Sequence, residues 1–223
     1  MTSVDIEAAL GAFANLPPYT RDIIGRPILQ ALLTMEEFGH FDHALGLLRR
    51  DGTPTDEYVA LIEAHAAGRR GRVNDAFEAL EALAFGRSAV APDALTELIE
   101  MKIAHGLPIE DDLILEAQSI ARLFQGGEQG RDLRLLSIHA LAANGDLDVA
   151  IDALDAARVA DSVSAADLSS IVAQMLLVSE PSNAEFARFV LTHIDYLGRN
   201  ATALEARLQA ARGLAQLGLP TPA

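Results

Sequence analysis

The chain contains no cysteine and no tryptophan. Without thiols there are no disulfides, no thiolate metal sites and no cysteine nucleophile, and the absence suits the cytosol and the periplasm equally. Aromatic residues make up only 5 %, and no run of Val, Ile, Thr and Tyr alternates with period two. Strands draw on those residues, so a sheet has no material here. Lys102 is the only lysine, beside sixteen arginines, a bias that fits a high-GC bacterial genome. Positive charge is scarce overall: 17 Lys and Arg face 32 Asp and Glu, for a net charge of −15. Such a chain lacks the cations that neutralise phosphates or anionic lipid, which argues against nucleic acid and membrane-surface partners. No stretch of about 20 residues is free of charge, so no segment reads as a membrane span. Met1 is not followed by a basic segment and an apolar run, so no signal peptide is visible.

What remains is rich in Ala and Leu, the strongest helix formers, and 223 residues give ample core. The chain reads as all-α. Residues 3–16 form a helix, with Ile6, Leu10 and Phe13 on one stripe, cut off by Pro17-Pro18. Residues 1–18 are thus an N-terminal cap or arm. A helix over 21–38 follows, its first turn disturbed by Gly25 and Pro27 and its end capped by Gly39. Another covers 41–50. Thr53-Pro54-Thr55-Asp56 is a strong helix start, with Thr53 as the cap and Pro54 at the first helical position, and helices are expected over 54–67, 73–85 and 93–105. Gly106-Leu107-Pro108 then breaks the pattern. Further helices are expected over 110–124, 132–143 and 147–159. The boxes Ser164-Ala165-Ala166-Asp167 and Ser182-Asn183-Ala184-Glu185 start helices to about residues 179 and 197. A last helix, ending near Leu217, is capped by Gly218. Residues 19–218 form one helical domain, 219–223 a tail, and the 126–130 loop is its only visible seam.

A spacing recurs along this domain: Gly, a large apolar residue two later, Ala five later and Leu nine later. Gly39-Phe41-Ala44-Leu48, Gly71-Val73-Ala76-Leu80 and Gly145-Leu147-Ala150-Leu154 fit it. Gly supplies the left-handed turn between antiparallel helices, Ala permits close approach, and Leu fills the gap to the next hairpin. Gly39 and Gly71 lie 32 residues apart, and 74 separate Gly71 from Gly145, room for one divergent unit near Gly106. A period in this range marks arrays of helical hairpins, which bury their faces by stacking. A non-repeating helical bundle is the competing architecture.

These three motifs resemble the second-helix half of the tetratricopeptide repeat over roughly residues 26–159. The first-helix Trp and Tyr of that family are missing, and Ser179-Glu180-Pro181-Ser182 replaces the Gly turn in the last hairpin. The resemblance implies a right-handed superhelix (an α-solenoid) of about five antiparallel hairpins. It also implies a concave groove that binds peptides. His65 and His139 each lie six residues before a repeat Gly, a position the resemblance assigns to the groove. The same register places Leu29, Leu33, Glu36, Tyr58, Leu61, Arg69, Asp132 and Leu135 there.

Catalytic and metal motifs are weak. Glu37 and His40 form a lone Glu-x-x-His pair, whereas a di-iron bundle needs two such pairs. Asp146, Asp148, Asp152 and Asp155 read as helix-start and solvent-facing charges. Arg69, Arg70 and Arg72 read as a solvated basic turn. The acids at Glu110-Asp111-Asp112 leave room for a helical enzyme using Mg²⁺, the least favoured alternative. The expectation is a non-catalytic scaffold without cofactor or metal, binding a basic or amphipathic segment of another protein. Self-assembly into a homo-oligomer through the terminal helices is the alternative.

Overall fold

In the computed structural model, which describes residues 3–50, 56–124, 127–159, 163–179 and 184–219, the chain is all helical. Twelve α-helices follow one another among the described residues: α1 Ser3–Ala14, α2 Pro18–Thr34, α3 Phe38–Arg49, α4 Glu57–Arg69, α5 Val73–Ala84, α6 Ala91–Ala104, α7 Asp111–Leu123, α8 Glu128–Ala143, α9 Leu147–Val159, α10 Ala165–Val178, α11 Ala184–His193 and α12 Ala201–Gln216. A 3₁₀ turn, Ile194–Tyr196, links the last two. The described residues contain no strand. The chain divides into two compact units, Met1–Leu95 and Thr96–Ala223, so the division falls inside α6 and not at the 126–130 loop.

In the first unit α1 packs on α3, α2 on α3 and α4, and α4 on α5. Ile6, Leu10 and Phe13 of α1 are buried with Leu29, Leu33 and Phe41 in one cluster, so this helix caps the core and does not swing free. Pro17 and Pro18 do not lengthen the break; Pro17 is the N-cap of α2 and Pro18 its first residue, where proline's missing N–H costs nothing. The helix runs unbroken through Gly25 and Pro27. Gly25 is needed for close packing: a Cβ there would lie 2.5 Å from a Leu48 methyl of α3. The Thr53-Pro54-Thr55 start lies outside the described residues. Asp56 is the N-cap of α4, its carboxylate accepting from the Tyr58 N–H at 2.7 Å.

In the second unit α8 packs against α7, α9 and α10, while α10 also meets α12, and α11 meets α9 and α12. Ser164 and Asp167 form the expected capping box on α10. Ser182 and Asn183 lie outside the described residues. Asn144 adds a tie that spans 35 residues: its side-chain amide donates to Ile109 O at 2.6 Å and accepts from the Ile109 N–H at 2.9 Å. Ile109 is buried, so this pair satisfies backbone groups that water does not reach.

The helix ends reveal the repeat register. Glu36, Gly71, Gly106 and Gly145 have φ of 58°, 77°, 62° and 91°. At each, two N–H groups fold back on the preceding helix in the same pattern, as Gly145 N–H to Ala142 O and Asp146 N–H to Leu141 O. This is the left-handed closure that frees the chain to reverse. The four residues are spaced by 35, 35 and 39 positions. The first reversal is therefore at Glu36 and not at Gly39, which lies inside α3. Aligning the units on Gly39 displaces the first by three residues. Phe41, not Ala44, then takes the place of Ala76 and Ala150, and Leu45 that of Leu80 and Leu154.

Candidate functional site

Corrected register brings out a polar position six residues before each reversal: Gln30, His65, Glu100 and His139. Another step of 35 reaches Gln174. In the second unit three of these positions, Glu100 of α6, His139 of α8 and Gln174 of α10, line one open cleft of about 400 Å³. α8 contributes Asp132, Leu135, Leu136 and His139, spaced i, i+3, i+4 and i+7, which is one helical face. α10 contributes Asp167, Ser170, Ile171 and Gln174 at the same spacing, each 35 residues after its counterpart. Ile103 and Ala104 complete the α6 wall. Each helix thus presents one acid, an apolar middle or wall, and (on α8 and α10) a polar side chain one turn beyond.

Charge is distributed unevenly over these walls. Arg131 donates to Asp132 at 3.2 Å and approaches Asp167 at 3.7 Å and Glu128 at 3.7 Å. These carboxylates raise the Arg131 pKa, the Asp132 hydrogen bond foremost. Asp167 is held below the usual carboxylate range, first by the Ser164 hydroxyl that donates to it. Glu100 differs. Its side chain is exposed, yet its carboxyl pKa is raised, first by partial desolvation and second because Glu97 is close. His139 is half-buried, and its Nε2 is enclosed without a hydrogen-bond partner among the described residues. Desolvation lowers its pKa from 6.5 to about 4, so the imidazole is neutral at pH 7. Ser170, His139 and Asp167 share the cleft, yet no hydrogen bond joins them into a nucleophile relay.

The expected groove residues part company by unit. Asp132, Leu135 and His139 come together in the cleft. Leu29 and Leu33 are 0 % and 2 % exposed, and Leu61 is buried too, so all three serve the core; the three-residue displacement accounts for the first two. Glu36 is the left-handed residue of the first reversal. Tyr58 is exposed, with the Arg26 guanidinium 4.5 Å above its ring, while Arg26 also pairs with Asp56. Arg69 donates to Leu33 O at 3.3 Å. His65 is half-buried on α4. Glu100 and Gln174 were missed. Counting six back from Gly106 finds Glu100, but Gly106-Leu107-Pro108 reads as a break and not as a reversal. Gln174 has no glycine to count from.

Arg70 and Arg72 of the basic turn and Glu110 of the acidic triplet are tied within the chain. Arg70 donates to Phe38 O at 3.0 Å and to Asp42 at 2.8 Å, its guanidinium 4.8 Å from the Phe38 ring centre. Arg72 approaches Asp75 at 3.4 Å, and Glu37 meets His40 at 3.2 Å. Glu110 is bound by Lys102 at 2.7 Å. No group of three or more metal-ligating side chains occurs among the described residues, nor does any helix long and apolar enough to cross a membrane.

The fold and cleft define a class no finer than an all-α protein with a helix-walled cleft. Comparison with known protein families, curated proteins and solved structures finds no match.

Proposed function

We propose that the chain is a non-catalytic scaffold of tetratricopeptide-like helical hairpins that holds a segment of another protein in the α6–α8–α10 cleft. The observation that carries this reading is the equivalence of the cleft walls. Positions related by 35 residues on α8 and α10 face one space, and Glu100 joins them from α6. Repeated positions converging on one surface are what a stacked-hairpin superhelix provides, and such surfaces bind extended or helical segments. The apolar floor of Leu135, Leu136 and Ile171, edged by polar groups, suits an amphipathic segment. Peptides selected on the full chain from a random twelve-residue library test this. Leu135→Glu with Gln174→Ala should weaken the selected peptides about tenfold or more, the loss expected when a central anchor is removed. Unchanged affinity would overturn the assignment.

A second reading is self-assembly, favoured by α12. That helix buries Ala203, Ala206, Ala210 and Gly213 but leaves Leu204 and Leu208 at 61 % and 51 % exposure. Two copies could cover this stripe. Sedimentation of the full chain against Leu204→Glu/Leu208→Glu decides: a mass that halves supports assembly, and a monomer in both removes it.

A further inference from the structure

The helix α12 continues the 35-residue register of α8 and α10, and α10 packs on both of the others. Burial stops at α12. Ile138 of α8 and Ala173 of α10 are 1 % and 2 % exposed, but Leu208, 35 residues further on, is 51 % exposed. Leu141 and Leu176 are buried, and Ala211 in the same register is only half so. A face that the earlier helices cover is therefore left open on the last one. Its charge also sets α12 apart. In a chain of net charge −15 this helix holds one acid, Glu205, against Arg207 and Arg212. Arg207 turns back to donate to Leu197 O at 2.9 Å. Glu205 and Arg212 are exposed, two turns apart on one flank of the open face, and neither is in an ion pair among the described residues.

We infer that α12 pairs antiparallel with α12 of a second copy of this chain, with Glu205 of each copy beside Arg212 of the other. The inference rests on the self-assembly reading and adds its register. Leu204, Leu208, Ala211 and Ala215 recur at steps of four, three and four, the spacing of a seam between two helices, and Glu205 and Arg212 each follow a seam position. In a two-fold antiparallel pair each flank meets its own equivalent running the other way. Setting Leu204 against Ala215 of the second copy also sets Leu208 against Ala211. Every layer then puts a large side chain on a small one, and the same alignment joins Glu205 to Arg212 twice. Sliding by one heptad sets Leu204 on Leu208 and brings Glu205 beside Glu205. A parallel pair brings like charges together at both positions. The flank therefore matches its own reversed order, which selects a second copy over an unrelated helix. A pair of 16-residue helices buries less than about 1,200 Å² in total, the range of transient contacts, so these charges weigh on its affinity.

Sedimentation equilibrium of the full chain from about 1 μM to about 1 mM spans the affinities that a contact of this size reaches. The expected result is a monomer–dimer equilibrium. Glu205→Arg and Arg212→Glu should each weaken the dimer about tenfold or more, because two attractive pairs become two repulsive ones. The combined Glu205→Arg/Arg212→Glu chain should recover the native affinity. An equimolar mixture of the two single variants should form the mixed dimer, whose pairs are again of opposite sign. Both positions are exposed, and thermal melts check that each variant folds. Single reversals that leave the dimer unchanged, or a combined variant that stays weak, would overturn the antiparallel register. If Leu204→Glu/Leu208→Glu still broke that dimer, self-assembly through α12 would stand without it. A chain that is monomeric throughout, or a dimer that Leu204→Glu/Leu208→Glu leaves intact, would remove both.

Discussion

His139 makes stability depend on pH in a way its cleft dictates. Its pKa is 6.5 when unhindered and about 4 in the fold, lowered by desolvation. Between these values the unfolded chain takes up a proton that the folded chain refuses. The contribution is therefore fully present above pH 6.5, is lost as pH falls toward 4, and changes no further below that. Linkage sets the ceiling at roughly 3 kcal/mol, and the part lost by about pH 4.5 is about 2 kcal/mol once the partial exposure of the ring is allowed for. Carboxylates titrate in the same range, so the assay is a difference. Urea unfolding of the native chain and of His139→Gln is measured at about pH 7 and about pH 4.5, and the two pH-dependent losses are subtracted. The native chain should lose about 2 kcal/mol more than the variant. Equal losses would mean that the imidazole is not held away from water, and the account of the cleft wall would be wrong.

Three further outcomes follow from the packing. Asn144→Leu strips both hydrogen bonds from buried Ile109 and should cost about 2–3 kcal/mol in unfolding free energy; a loss under about half that would deny the tie its role. Glu36 adopts φ 58° without the freedom of glycine, so Glu36→Gly should raise stability by about 0.5–1 kcal/mol. A fall would contradict the reversal at that residue. Ala150 is fully buried, and Ala150→Leu should overpack the α8–α9 hairpin by about 1–3 kcal/mol. A neutral melt would count against its place at the contact.

Helical content was legible because Ala and Leu recur at helical spacing between strong stop signals, and Gly71 and Gly145 announced two reversals correctly. Glu36 could not be read in this way. A left-handed residue with a side chain leaves no compositional mark, and Gly39 three positions later offered a plausible but wrong anchor. That single displacement sent Leu29 and Leu33 to the groove when they belong to the core. In the second unit the anchor was right, and Asp132, Leu135 and His139 do share one cleft. Glu100 and Gln174 escaped because Gly106 opens an extended segment before α7, and because Ser179 leaves α10 with ψ 138° and no glycine. The Asn144–Ile109 pairing joins residues too distant in sequence for local pattern to predict. The division inside α6 is likewise unmarked, since no linker composition accompanies it.

Hydrogen exchange of the full chain, with and without a library-selected peptide, tests the central claim most directly. Bound peptide should slow exchange on α6, α8 and α10 around Glu100, Leu135–His139 and Ile171–Gln174, with α7 and α9 little changed. Protection confined to α12, or to the outer faces of α7, α9 and α11, would contradict it.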